Sequence, residues 1–127
     1  MPSARILYLD DEEPLVFIVR RMLERIGHQV SGFTRAEEAL AAFSAAPDAF
    51  DLVISDNSMP GMSGVDFAKE VLRVHPAAVV AIASGYMDEK ETSAALAAGV
   101  RSVIRKPQTL EEMRDMVREL LPHIGDS

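Results

Sequence analysis

"VISDNSMPGMSG", residues 53–64, decides how the rest of the chain is read. Leu52, Val53 and Ile54 form an apolar run that ends on a carboxylate, Asp56, and a loop rich in Gly, Pro and Met follows. A charge at the tip of a buried strand is costly unless something pairs with it. Asp56 therefore either caps a turn or belongs to a prepared ionic site.

Outward from that stretch, short apolar runs alternate with longer amphipathic ones. Strands are expected at residues 6–9, 29–33, 52–55, 79–83 and 102–105, and helices at 14–26, 35–45, 65–74, 89–98 and 110–121. Leu15, Ile18, Val19, Met22 and Ile26 follow the helical period. Thr34 with Glu37 and Thr109 with Glu112 have capping-box spacing, and "SGVD" and "DEKE" are acidic-start variants of it. Gly27 and Gly99 stand where helix C-caps belong, and Pro14 suits a first helical turn. Five β–α units in strict alternation imply an α/β parallel sheet covered on both faces. The nearly all-apolar third and fourth strands agree with that burial.

The 127 residues suit one domain, expected to span 1–127. A composition 48% hydrophobic and 26% charged reads as folded and soluble. The net charge of −7 argues against direct nucleic-acid binding. No apolar run reaches the roughly 20 residues of a membrane span, and the first residues lack a secretory pattern. The absence of cysteine excludes disulfides and thiolate metal sites and suits a cytoplasmic location.

Ligands of open α/β sheets bind beyond the carboxyl ends of the strands. There the chain places Asp10, Asp11, Glu12 and Glu13 after the first strand, Asp56 after the third, Ser84, Gly85 and Tyr86 after the fourth, and Lys106 and Pro107 after the fifth. Close aspartates repel unless protonated or joined by a cation. A hard ion such as Mg²⁺ suits this oxygen set, and Lys106 and Ser84 add a positive charge and a hydroxyl, which together suit a phosphoryl group. Each residue also has a plainer reading: Asp10 and Asp11 as caps of the first helix, Asp56 and Ser84 as turn residues, Lys106 as a solvated surface lysine.

"LDDEEP", "SDNSMPGMSG", "IASGY" and "RKP", in this order on five βα units, resemble the receiver domain of two-component response regulators, stand-alone or from a hybrid histidine kinase. The resemblance implies a flavodoxin-like doubly wound sheet of order 2-1-3-4-5. It implies that Asp56 is the phosphoacceptor for a phosphohistidine on a sensor kinase or histidine phosphotransfer domain, assisted by Ser84 and Lys106. Mg²⁺, or Mn²⁺, would be held by Asp11, Asp10 (through water), Asp56 and the backbone carbonyl of Ser58. Pro107, often after a cis bond, would aim Lys106 inward. Output would pass to a protein partner through helix 4, strand 5 and helix 5, with no turnover of an external substrate.

Four positions depart from the family pattern. Val103 stands where many receivers carry an inward-turning aromatic, and Gln108 where apolar aromatics are common. Ser58 and Tyr86 occupy positions that bear on acyl-phosphate hydrolysis, and a bulky Tyr86 would restrict water and lengthen the phosphorylated state. The rival readings are a haloacid-dehalogenase-like phosphatase, which would need a D-x-D pattern after strand 1, and a flavodoxin-like carrier, whose phosphate "DDEEP" would repel. A receiver fold that only dimerises is the third. The start at Met1 favours a complete chain.

Overall fold

The computed structural model describes residues 3–85, 87–106 and 109–122. The elements run β1 (Arg5–Leu9), α1 (Glu13–Arg25), β2 (Gln29–Phe33), α2 (Ala36–Ala45), a 3₁₀ turn (Pro47–Ala49), β3 (Leu52–Asp56), α3 (Gly64–Val74), β4 (Val80–Ser84), α4 (Glu89–Ala97), β5 (Ser102–Arg105) and α5 (Leu110–Leu120). The sheet is parallel throughout, in the order β2-β1-β3-β4-β5. All five expected strands and all five expected helices form.

The alternation of side chains along each strand divides the core into two layers. Ile6, Tyr8, Ile54, Ala81 and Ala83 pack with Val16, Val19 and Leu23 of α1 and Met113, Met116, Val117 and Leu120 of α5. Leu7, Leu9, Val53, Val80 and Ile82 face the other way, onto Ala39 and Phe43 of α2, Phe67, Ala68 and Val71 of α3, and Ala95 of α4. β3 and β4 are buried along their whole length, because both faces are covered.

The expected capping boxes, their acidic-start variants and the glycine stops form in all but one case. Ser63 accepts from the Asp66 N–H at 3.1 Å, and Asp88 with Glu91 and Thr109 with Glu112 form full capping boxes. Gly27 and Gly99 both adopt φ +104°, the left-handed conformation that ends α1 and α4. The expected box of Thr34 with Glu37 does not form: α2 starts one residue later, with Arg35 as N-cap and no side-chain cap, and Glu37 turns to the Arg35 guanidinium at 3.8 Å. Two strand ends also extend further than expected. Asp56 and Ser84 are the last residues of β3 and β4, with Asp56 in register with Ala83, so the sheet itself fixes both backbones.

His28 ties the edge of the sheet. Its Nδ1 accepts from the Ala4 N–H at 3.0 Å, so that nitrogen must be unprotonated, and burial lowers the imidazole pKa from its usual 6.5. The unfolded chain then binds more protons than the folded one just below that value. Stability from His28 is full above about pH 6.5 and is lost as pH falls through the lower folded pKa. Urea midpoints measured from about pH 7.5 down to about pH 5.5 should drop more steeply for the unmodified protein than for His28→Asn. Parallel slopes would refute this.

Candidate functional site

The topology reverses between β1 and β3, since β1 is followed in sequence by β2 on one side and β3 lies on its other side. The crevice at such a switch point, beyond the carboxyl ends of the strands, is where the fold exposes backbone and side chains to a ligand. Leu9 is in register with Ser55, so Asp10, just past β1, and Asp56, the last residue of β3, stand side by side at the carboxyl edge of the sheet.

Asp10 is fully buried and held on both oxygens. Its Oδ1 accepts from the Glu12 N–H at 3.0 Å, and its Oδ2 accepts from the Tyr8 hydroxyl and from Lys106 Nζ, each at 3.1 Å. The Glu12 contact is a local turn ahead of α1, whose N-cap is Glu12 with no side-chain cap, so Asp10 does not cap the helix. Lys106 Nζ also lies 3.0 Å from Asp56 Oδ1, bridging the two aspartates. Its position is set by the sheet, because the Lys106 N–H donates to the Ser84 carbonyl at 3.2 Å, continuing the β4–β5 ladder.

Asp11 is exposed at the mouth. One carboxylate oxygen from each of Asp10, Asp11 and Asp56 lies within 4.8 Å of the others. Burial raises the Asp56 pKa above its usual 3.8. The Lys106 hydrogen bond opposes that, and the charges of Asp10 and Asp11 add to it. For Lys106, burial works against the ammonium, but its bonds to Asp56 and Asp10 outweigh this and raise its pKa above 10.5. The trio thus carries more negative charge than one lysine offsets, and its hard oxygens at this spacing fit a small divalent cation.

The loop beyond Asp56 is shaped by a close approach. The Gly64 N–H donates to the Asn57 carbonyl at 2.9 Å, and a Cβ on Gly64 would meet the Asp56 carbonyl oxygen. Only glycine lets α3 begin this near the end of β3. Ser58 is exposed two residues past Asp56, and Ser84 is buried at the end of β4. Val103 is half-buried against the α3/α4-side core. Beside it lies a cavity of about 340 Å³ lined by Ser84, Met87, Thr92, Val103 and Ile104, among others. Tyr86, Pro107 and Gln108 lie outside the described residues.

Residues 6–118 match the response regulator receiver domain. The chain belongs to this family. It is 34% identical over 123 residues to the sensory/regulatory protein RpfC of Xanthomonas campestris, a match covering 93% of this chain and 16% of that protein. Among solved structures it is similar to a response regulator receiver domain protein from Clostridium thermocellum, with TM-score 0.86, 28% identity, and coverage of 94% of this chain and 95% of that one. It is likewise similar to the chemotaxis protein CheY4 of Vibrio cholerae, with TM-score 0.86, 26% identity and coverage of 94% and 99%. A receiver domain is a signalling module of two-component systems, and membership displaces the phosphatase and flavodoxin-like readings. Among the described residues no helix is long and apolar enough to cross a membrane.

Among the described residues, Tyr8 is a site contact that strand patterning missed. It counted only as part of an apolar strand. The available signal was its spacing: residues two apart on a strand share a face, so a hydroxyl at position 8 points to the same side as the carboxylate at position 10.

Proposed function

We propose that this receiver accepts a phosphoryl group on Asp56 from a phosphohistidine of a sensor kinase or histidine phosphotransfer partner, with Mg²⁺ held at the aspartate trio. The observation that carries this reading is Lys106 Nζ bridging Asp10 and Asp56 beside the three clustered carboxylates at the switch point. In the transfer, a carboxylate oxygen of Asp56 forms a bond to phosphorus as the P–N bond to the donor imidazole breaks. The imidazole leaves with the electron pair and takes a proton from solvent. Lys106 and the Ser84 hydroxyl would donate to the arriving phosphoryl oxygens, in a reaction that needs positioning and charge compensation. Asp11, Asp56, the Ser58 carbonyl and, through water, Asp10 would hold Mg²⁺. When bound, Mg²⁺ supplies further neutralisation of the phosphoryl charge.

The switch reaches its partners through the α4–β5–α5 surface. The cavity beside Ser84 runs to Met87 and Thr92 at the start of α4 and to Val103 on β5. A phosphoryl group drawing Ser84 would therefore be felt at those residues without an aromatic at position 103.

Incubation with Mg²⁺ and a small acyl-phosphate donor, followed by intact mass, tests the reading. A stoichiometric gain of one phosphoryl group is expected, and none in Asp56→Asn. No gain in the unmodified protein would overturn phosphoacceptance and leave a fold that acts by association alone. Repeated turnover of a phosphate ester would overturn the assignment as a phosphoacceptor module.

A further inference from the structure

The Tyr8 ring is buried in the layer between the sheet, α1 and α5, only 3% exposed. A phenol there carries its hydroxyl into apolar surroundings, a costly placement unless the hydroxyl finds a partner. It finds Asp10 Oδ2, at 3.1 Å. That oxygen also receives Lys106, and the two donors differ in kind. Tyr8 is fixed by its buried ring and has two torsions. Lys106 has a flexible stem and is shared with Asp56.

We propose that Tyr8 is a positioning residue for the cation site: its hydroxyl, with the Glu12 N–H, clamps the Asp10 carboxylate from both ends and leaves Lys106 free to serve Asp56. The proposal rests on the phosphoacceptor reading of the same site. Without the hydroxyl, Asp10 keeps a buried oxygen whose sole remaining donor among these contacts is Lys106. The carboxylate loses its fixed orientation toward Asp11 and Asp56, and it draws Lys106 to itself. Outer partners of directly ligating residues are worth about 10–100-fold in metal affinity, and because Asp10 would reach Mg²⁺ through water the low end of that range applies.

Tyr8→Phe keeps the ring and removes the hydroxyl. Mg²⁺ binding measured by calorimetry should weaken about 10-fold in the variant. The Mg²⁺ concentration giving half-maximal phosphoryl uptake should rise by the same factor. The uptake rate at saturating Mg²⁺ should change less than about threefold, a split that a general loss of folded protein would not produce. A urea midpoint monitors folding. The chain has two tyrosines and no tryptophan, so in a Tyr86→Phe background Tyr8 alone fluoresces. Mg²⁺ should change its emission even if Tyr8→Phe fails to fold. Unchanged Mg²⁺ affinity in Tyr8→Phe, or a Tyr8 emission indifferent to Mg²⁺, overturns the role of Tyr8 while phosphoryl uptake by the unmodified protein upholds the function. An unmodified protein that neither binds Mg²⁺ nor takes up a phosphoryl group overturns both.

Discussion

Lys106→Met should lower the initial rate of phosphoryl uptake about 10²–10³-fold, the usual loss when a fixed donor to a developing anion is removed. Lys106 Nζ sits between Asp10 Oδ2 and Asp56 Oδ1 at 3.1 and 3.0 Å, so the site is built around it. The methionine replaces the apolar stem but none of the charge. Asp10 stays fully buried with the Tyr8 and Glu12 donors, and Asp56 loses its cation. Removing one partner of a fully buried pair costs about 3–5 kcal/mol. The Lys106 side chain is 29% exposed, and solvent screening reduces this to about 1–3 kcal/mol. Mg²⁺ should restore part of that stability, since it binds only the folded trio. Quenched time courses read by intact mass, with urea melts with and without Mg²⁺, measure both effects. An uptake rate within threefold of the unmodified protein would remove Lys106 from the chemistry.

Gly64→Ala should cost about 1–3 kcal/mol or more, the range for forcing an extra methyl into filled space. The penalty is severe for its size because the obstruction is backbone. The new Cβ would meet the Asp56 carbonyl oxygen and lie 3.0 Å from Asn57 Cα, and neither can rotate away as a side chain could. Relief requires α3 to move off the end of β3, which shifts Asp56 and the loop carrying Ser58. The variant should therefore lose phosphoryl uptake as well as stability, whereas an alanine at exposed Gly85, where a Cβ meets nothing, leaves the melt unchanged. Equal urea midpoints for Gly64→Ala and the unmodified protein would disprove the close approach.

The fold was legible because its signals are local and redundant. Five apolar runs, five amphipathic ones, Gly27, Gly99 and the box at Thr109 each act over a few residues, and they agree with one another. The missed box at Thr34 shows the limit of such signals. Thr34 and Glu37 have the spacing, but the chain entering from β2 starts α2 one residue later and leaves Arg35 as cap. The strand ends were short by a residue at Asp56 and Ser84 because ladder pairing with a neighbouring strand, not local pattern, decides where a parallel strand stops.

For the site, the sequence alone determined which residues stand after which strand, because a βα alternation forces every carboxyl end to the same edge. Asp10, Asp11, Asp56, Ser84 and Lys106 could be named from that rule. The tertiary structure decided how they share charge: that Lys106 bridges two aspartates, that Asp10 is saturated from below by Tyr8 while Asp11 stays exposed, and that Gly64 presses α3 against the end of β3. Hydrogen bonds between residues 8, 10, 56 and 106 depend on strand order and register, and these are fixed only when the two core layers close on the sheet.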